Sequence, residues 1–218
     1  MLSFAEENYL KAIYHLSDGG KNSVSTNAIS EALKTKPASV SDMIRKLASK
    51  RVINYQKYYG VQISEEGKKN ALSIIRKHRL WEVFLVEKLR FNWDEVHEIA
   101  EQLEHIRSSL LISRLDEFLG YPQYDPHGDP IPDKDGLIQT KPRVPLSKLN
   151  IGDIGKLTSV SDSSDMFLRY LDKLNIAIGC QILILEKHEF DGSLEIEIDK
   201  QKKIFVSAAV AENLLVTK

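Results

Sequence analysis

Apolar residues recur at every third or fourth position through the first part of the chain, which is the period of an amphipathic helix. Ser3 and Glu6 also have the spacing of a capping box, so a first helix is predicted from Ser3 to Leu16. Further helices are predicted over residues 25–33 and 38–50, with a four-residue turn between them. Two helices joined by a tight turn predict a helix-turn-helix.

Residues 52–64 alternate apolar and polar positions on either side of Tyr59 and Gly60. This alternation predicts a β-hairpin whose turn admits a positive φ at the glycine. A helix-turn-helix followed by a hairpin makes a winged helix. The next helix is predicted from Glu65 to about Lys88, because Glu65 and Glu66 suit a first helical turn.

A long helix is predicted from Glu95 to about Leu119, with Asp94 as its cap. Its apolar positions exceed what one neighbouring helix could cover, and the surplus favours a dimer interface. These positions are Val96, Ile99, Leu103, Ile106, Leu110, Leu111 and Leu115.

The remaining third of the chain changes character. Residues 120–148 contain all but one of the seven prolines and show no sustained period, so a linker or loop is predicted. Four strand patterns follow, IGKLTSV, CQILILEK, LEIEID and KIFVSA, together with one helical pattern over residues 165–174. A small β-barrel of about 70 residues accounts for them.

Composition excludes several classes of protein. With 42% hydrophobic and 28% charged residues, the chain has the balance of a soluble globular protein. No apolar stretch reaches the length of a membrane span, and charged residues interrupt the segment from Met1 to Lys21, so neither a span nor a signal peptide is predicted. A cytoplasmic protein is expected. The single cysteine, Cys180, cannot form an internal disulfide and is predicted to lie in the core.

The net charge of −1 conceals an uneven distribution along the chain. Residues 1–79 carry 14 basic and 7 acidic side chains, whereas residues 80–150 carry 8 and 13 and residues 151–218 carry 8 and 11. A basic N-terminal third is typical of a domain that binds nucleic acid, because phosphate neutralisation supplies much of the affinity. The alternative is an uneven surface without a polyanionic partner.

Histidines and glutamates are concentrated in the two central helices. Their spacing in each predicted helix places them on one face, and the six donors are His78, Glu82, His97, Glu101, Glu104 and His105. Imidazole and carboxylate ligands together suit manganese, ferrous iron or zinc, and the lack of a thiolate weighs against structural zinc. The alternative is a solvated charged face. The other histidines are predicted to be packing or surface residues: His15, His127 and His188.

The third helix carries polar residues opposite its apolar stripe, where they could contact phosphates and base edges. These are Ser39, Ser41, Asp42, Arg45 and Lys46. Asp42 could accept a hydrogen bond from a cytosine amino group or repel phosphate. Residues at the helix entry and in the wing complete the predicted DNA-binding set: Thr26, Lys36, Pro37, Ala38, Lys57 and Tyr59. An ordinary surface helix is the alternative.

Ordered along the chain, several motifs resemble those of the diphtheria toxin repressor and manganese transport regulator family of metal-dependent repressors. The motifs are EENYLKAIY, KPASVSDMIRKL, RKHRLWE, EVHEIAEQLEHI, HGDPIP, VPLSKLNIGDIGKL and LRYLDKLNIAIG. The resemblance covers nearly the whole chain. It implies a mainly α fold with β, made of a winged helix-turn-helix domain, a helical dimerisation domain and a C-terminal SH3-like small β-barrel.

The resemblance also implies roles for individual residues. The primary metal site of the family corresponds to Glu101, Glu104 and His105, and the ancillary site of its iron-type members to His78, Glu82 and His97. In manganese-type members, His78 and the two glutamates also serve a binuclear site. Glutamate at position 101, where iron-type members have cysteine, favours Mn(II) or Fe(II).

Two positions in the first helix depart from the family pattern. Asn8 occupies a ligand position where the family has methionine or aspartate. Lys11 stands where manganese-type members have glutamate, and its charge would oppose a second cation.

The sequence therefore predicts a homodimeric repressor that binds operator DNA in response to Mn(II) or Fe(II) and controls genes of metal homeostasis. Its expected domains are a DNA-binding domain at 1–73, a dimerisation and metal-binding domain at 74–143, and an SH3-like domain at 144–218. One alternative is a DNA-binding scaffold with a degenerate metal site. A di-metal enzyme is disfavoured, since no catalytic triad, phosphate loop or dinucleotide motif occurs.

Overall fold

The first helix, α1 (Phe4–Leu16), begins with the predicted capping box. The Ser3 hydroxyl accepts the backbone N–H of Glu6 at 3.4 Å, and the Glu6 carboxylate accepts that of Ser3 at 2.6 Å. Glu6 also receives the Lys50 ammonium at 2.7 Å and is buried. This computed structural model describes residues 2–218.

The Glu6–Lys50 pair makes a testable contribution to stability. Burial alone would raise the pKa of Glu6, but hydrogen bonds from Lys50 and from the Ser3 backbone hold the pKa below its ordinary value of 4.5. Its stabilisation is therefore complete above that value and is lost as the pH falls through the lowered folded-state pKa. Glu6→Gln should cost roughly 1 kcal/mol at neutral pH, because half-exposed Lys50 is screened by water. Urea unfolding at several pH values tests this; a deficit that does not shrink as the pH is lowered would contradict it.

Three helices and a hairpin form the predicted winged helix. Helix α2 (Thr26–Ala32) is capped by Ser25, and α3 (Pro37–Ser49) has proline at its first position, where no backbone donor is needed. Strands β1 (Ile53–Gln56) and β2 (Gly60–Ile63) pair antiparallel. One apolar core joins these elements and includes Tyr9, Leu10, Ile13, Ile29, Val40, Ile44, Leu47, Ile53 and Val61.

The hairpin requires glycine at position 60. Gly60 has a φ of +90°, and a Cβ there would lie 2.6 Å from the carbonyl oxygen of Val24. Val24 bridges to Val61 of β2, so the wing is attached to the segment that precedes α2. The predicted glycine turn is confirmed, and this close approach of two backbones is a second reason for it.

The central region corrects one prediction. Helix α4 (Glu65–Glu87) ends within one residue of the predicted position. The single long helix predicted from Glu95 to about Leu119 is wrong, because it is two helices, α5 (His97–Leu103) and α6 (Ser109–Phe118). The Ser108 hydroxyl accepts the backbone N–H of Leu111 at 3.2 Å and so caps a new helix. Serine favours such caps over helix interiors, which the apolar period does not reveal.

The C-terminal part is a six-stranded antiparallel sheet in the order β3-β8-β4-β5-β6-β7. Its strands are β3 (Val144–Pro145), β4 (Ile154–Val160), β5 (Gln181–Lys187), β6 (Leu194–Ile198), β7 (Lys202–Val206) and β8 (Leu214–Thr217). Helices α7 (Asp165–Leu174) and α8 (Ala208–Asn213) and a 3₁₀ turn (Leu146–Lys148) complete it. The four predicted strands and α7 are confirmed, whereas β3, β8 and α8 were not predicted.

Register shifts in β4 and β5 bend the sheet around an apolar core that includes α7. Cys180 lies in this core as predicted, and burial raises the pKa of its thiol. Within residues 2–218, no helix combines the length and apolarity needed to cross a membrane.

The chain separates into two compact units. The first comprises the residues up to Trp81 together with 101–114 and 132–138. The second comprises residues 82–100, 115–131 and 139–218. Each of the side-chain clusters described below lies within one unit.

Candidate metal centres and DNA-binding surface

The first unit contains a group of ionisable side chains around Glu104, which we call the Glu104 cluster: Lys11, His78, Glu101, Glu104 and His105. Candidate ligand atoms of His78, Glu101 and Glu104 all lie within 4.8 Å of one another. His78 Nδ1 is 2.7 Å from Glu104 Oε2, and His105 Nε2 is 3.9 Å from Glu104 Oε1. The Glu104 side chain is fully buried, so this polar group must be matched by partners.

The partners of Glu104 keep it ionised. Burial by itself would raise the pKa of the Glu104 carboxyl, but the hydrogen bond with His78 and the positive charge of Lys11 lower it below its ordinary value. A carboxylate that stays charged although buried is ready to bind a cation without first losing a proton.

Helix α1 supports the Glu104 cluster with residues that the sequence analysis singled out only in part. The Glu7 carboxylate lies 2.6 Å from His105 Nδ1. Because the carboxylate can only accept a hydrogen bond, the proton of the His105 ring lies on Nδ1. The lone pair of Nε2 then faces Glu104, which is the arrangement typical of a metal-binding histidine. Asn8 is adjacent in sequence, and its buried Oδ1 has no hydrogen-bond partner among residues 2–218. Glu7 was not predicted; its i, i+4 spacing to Lys11 was the available signal.

The second unit contains another group, which we call the Glu82 cluster: Glu82, His97, Asp125 and His127. Ligand atoms of Glu82, Asp125 and His127 lie within 4.8 Å of one another, and all three residues are buried. His97 Nδ1 approaches Glu82 Oε1 at 3.5 Å, although about half of the His97 side chain is exposed. Two of the predicted donors thus lie together in this cluster, with two residues that were not predicted.

His127 has the orientation expected of a ligand. Its Nε2 lies 2.8 Å from the backbone oxygen of Trp93. Because a carbonyl can only accept, Nε2 carries the proton and Nδ1 keeps its lone pair. That Nδ1 lies 3.8 Å from Glu82 Oε2.

A tight turn positions His127 and Asp125 together. Asp125 Oδ1 accepts the backbone N–H groups of His127 and Asp129, both at 2.9 Å. Gly128 has a φ of +85°, and a Cβ there would meet the carbonyl oxygen of Thr158 at 1.9 Å. The prediction for residues 120–148 described this turn only as linker, and His127 as a packing or surface residue. The sequence signal was the Asp-Pro-His-Gly-Asp run, in which an aspartate precedes its own turn.

Both clusters suit a divalent transition-metal ion by their donor chemistry. The Glu104 cluster offers two carboxylates and two imidazoles, and the Glu82 cluster offers the same combination. Mixed imidazole and carboxylate donors without thiolate fit Mn(II), Fe(II) or Zn(II). The partnerless Asn8 oxygen is a further oxygen donor on α1, beside Glu7. The residues present therefore fit a metal ion.

Helix α1 joins the Glu104 cluster to α3, the candidate recognition helix that carries the predicted DNA-binding residues. Its polar face bears Glu7 and Lys11, which contact the cluster. Its apolar face bears Leu10 and Ile13, which are fully buried in the core shared with Ile44 of α3. A shift of α1 would therefore disturb the packing of α3, because well-packed cores do not deform continuously.

The predicted DNA-binding residues are largely exposed on α3 and the wing. Exposed side chains include Lys36, Pro37, Ala38, Ser39, Ser41, Asp42, Arg45, Lys46, Lys57 and Tyr59, whereas Thr26 is partly buried. Arg45 Nη2 donates to Asp42 Oδ1 at 2.7 Å, so Asp42 offsets part of the positive charge of α3. Tyr58, at 91% exposed, presents its ring beside Lys57 Nζ at the tip of the wing.

Comparison with known proteins matches the chain to three family models in succession. Residues 1–61 match the iron-dependent repressor N-terminal DNA-binding domain. Residues 64–133 match the iron-dependent repressor metal-binding and dimerisation domain, and residues 144–218 match the FeoA domain. An HTH-type transcriptional regulator of Methanocaldococcus jannaschii is 32% identical over 118 residues, which cover 54% of this chain and 94% of that protein. The chain belongs to the iron-dependent repressor family.

Other relatives of this family agree. The iron-dependent repressor IdeR of Mycobacterium tuberculosis is 32% identical over 133 residues, covering 61% of this chain and 56% of IdeR. A solved manganese-dependent transcriptional repressor in complex with manganese is 35% identical, with a TM-score of 0.86 over 97% of this chain and 98% of that one. The manganese regulator SloR is 34% identical, with a TM-score of 0.76 over 98% of both chains.

Membership of the iron-dependent repressor family confirms the resemblance stated from the motifs, the fold class and the general function. The chain is a metal-dependent DNA-binding transcriptional repressor, with a winged helix, a helical metal-binding region and an SH3-like FeoA domain. The relatives from Methanocaldococcus jannaschii, Mycobacterium tuberculosis and Oceanobacillus iheyensis are transcriptional regulators.

Proposed function

We propose that the chain is a homodimeric repressor that binds operator DNA when Mn(II) or Fe(II) occupies the Glu104 cluster. The observation that carries this proposal is that α1 contacts the cluster with one face and packs against the recognition helix with the other. The ligands are His78, Glu101, Glu104 and His105, with Asn8 as an oxygen donor from α1. We further propose that Glu82, His97, Asp125 and His127 hold a second ion.

A bound divalent ion would supply positive charge shared among carboxylates and imidazoles that come from separate segments of the chain. Glu7 holds the ring of His105, and Asn8 offers its buried oxygen from the same helix. Ordering of these residues fixes α1 and thus the position of α3. In a dimer, this sets the spacing of two recognition helices, which must reach half-sites about 34 Å apart. Oxygen-rich donors favour Mn(II) and Fe(II) over softer ions, and similar repressors are named for manganese and iron.

The DNA contacts are proposed to come from the exposed residues of α3 and the wing, with Arg45 and Lys46 on phosphates or base edges. The functional parts are proposed to be residues 1–73, 74–143 and 144–218. The family matches at 1–61, 64–133 and 144–218 support the order of the three parts and the start of the third, whereas the second match begins ten residues before position 74. The genes controlled are proposed to be those of metal-ion homeostasis.

Operator binding in the presence and absence of metal tests the proposed function. A duplex selected from a random pool of about 30 base pairs is long enough for two half-sites. Its binding is measured at fixed salt in Mn(II), Fe(II), Zn(II) and chelator, because affinity for DNA depends steeply on salt. We expect tight binding only with metal. Equal binding in chelator would instead favour a DNA-binding scaffold with a degenerate metal site.

The dimer is proposed to form through the exposed apolar face of α6. Leu110 is 68% exposed and Leu111 41% exposed, although both belong to a helix of the matched dimerisation domain. Leu110→Asp should weaken dimerisation at least ~10-fold, because burying an unpaired carboxylate is costly. Sedimentation equilibrium measures the change. Leu137→Asp is the matched control, since Leu137 is equally exposed but lies outside α6; an equal effect of both variants would argue against this interface.

A further inference from the structure

Lys11 is the cation of the Glu104 cluster in this structure. Its Nζ lies 2.5 Å from Glu101 Oε1, and 2.8 and 2.7 Å from the two oxygens of Glu104. One ammonium thus contacts three carboxylate oxygens of two residues that are more than 80 positions away along the chain. The Lys11 side chain is only 14% exposed.

These contacts differ from ordinary surface ion pairs. Lys68 and Glu65, for example, pair one turn apart on a single helix, and the Glu65 side chain is 85% exposed. Such pairs contribute little, because water screens both charges. Lys11 instead pairs with a glutamate that is fully buried, so neither charge can be replaced by solvent without a rearrangement.

The carboxylates that bind Lys11 are also those that would bind a metal ion. Glu101 and Glu104 belong, with His78, to one group of candidate ligands. A metal ion lies about 2.2 Å from a carboxylate oxygen. An ion that shares an oxygen with Lys11 would thus lie within about 5 Å of its Nζ, at a distance where like charges repel strongly in a partly buried site.

Charge counting indicates how many ions the Glu104 cluster accepts. Counted over its five side chains and without the adjacent Glu7, the cluster has two carboxylates and one ammonium, which leave a single negative charge when both histidines are neutral. One divalent ion turns this into a single positive charge, and a second would bring it to three. Without the ammonium, one divalent ion would neutralise the two carboxylates. The charge of Lys11 therefore weakens the binding of the first ion and disfavours the binding of a second.

We propose that Lys11 acts as a resident cation that competes with metal ions for Glu101 and Glu104. It limits the Glu104 cluster to one divalent ion and raises the metal concentration at which the cluster fills. This inference rests on the proposed function, in which the Glu104 cluster is a metal site. In the metal-free protein the same ammonium connects α1 to Glu101 and Glu104.

Metal binding by the full-length chain tests the inference. Wild type, Lys11→Met, Lys11→Arg and Glu104→Gln are dialysed against increasing Mn(II), and the bound metal is counted by atomic emission. Lys11→Met keeps the length of the side chain without its charge, and should raise the Mn(II) affinity of the cluster at least ~10-fold. At high Mn(II) it should also take up an additional ion. Lys11→Arg keeps the charge and should behave like wild type.

The outcomes separate this inference from the proposed function. If Lys11→Met binds Mn(II) like wild type while Glu104→Gln loses an ion, Lys11 does not compete and the inference is wrong. If Glu104→Gln binds as much metal as wild type, the cluster is not a metal site and both proposals fail. Should Lys11→Met not fold in chelator, Lys11→Gln removes the charge but keeps a hydrogen-bond donor, and is judged by the same comparison.

Discussion

Glu104→Gln is expected to abolish the metal-dependent part of operator binding. Glutamine keeps the size of the side chain but removes the charge that His78 and Lys11 face in the fully buried site. We expect the affinity of the cluster for Mn(II) to fall at least ~100-fold, since loss of a ligand should exceed the 10–100-fold typical of residues that merely orient one. Binding of the selected duplex in Mn(II) should then fall to the level that wild type shows in chelator.

Glu98→Gln is the control for this substitution. Glu98 lies on α5, as Glu101 does, but is exposed. It should bind metal and DNA as wild type does. Circular dichroism distinguishes a lost ligand from a lost fold. We expect the Glu104→Gln protein to fold, because Lys11 keeps Glu101 as a partner. Mn(II)-dependent binding by a folded Glu104→Gln protein would exclude Glu104 as an essential ligand.

Local patterns predicted the helices that have clear caps and a single apolar face. Ser3 and Glu6 fixed the start of α1, and the glutamates at 65 and 66 fixed that of α4. The break after Leu103 could not be predicted from the apolar period, because the period continues through it. The Ser108 cap decides where the helix breaks. A cap of this kind contributes about 1 kcal/mol, which is enough to favour a new helix start over a continuous helix.

The sequence predicted which residues form the candidate sites but not how these residues are arranged in space. Donors at helical spacing are visible in one sequence, so six of the clustered residues were found. Their grouping depends on tertiary structure: Glu82 lies with Asp125 and His127, and Glu101 lies with Glu104 and His78. His127 was missed because its carboxylate partner Glu82 is 45 positions away and its own turn has no periodic signal. Lys11 was assessed only from its position in the family pattern. Its contact with two glutamates depends on the tertiary structure.

His127→Ala is expected to remove one Mn(II) ion per chain and to leave the Glu104 cluster loaded. His127 is buried, and the Trp93 carbonyl holds its Nδ1 lone pair toward Glu82. Alanine removes the buried imidazole that lies with Glu82 and Asp125, and the remaining imidazole of this cluster, His97, is half exposed. Two carboxylates without a fixed imidazole bind manganese weakly, so the loss should be complete at low micromolar metal.

Dialysis of His127→Ala and Glu104→Gln against the same Mn(II) series separates the two clusters. Each variant should lose one ion, and the double variant should lose both, because neither substitution removes a ligand of the other cluster. His15→Ala is the control for removing a histidine, since His15 is exposed at the end of α1. The Trp93 ring stacks on His127 with centroids 6.1 Å apart, so its fluorescence should respond to Mn(II) in wild type and in Glu104→Gln but not in His127→Ala. An unchanged response and ion count in His127→Ala would show that His127 is not a required ligand.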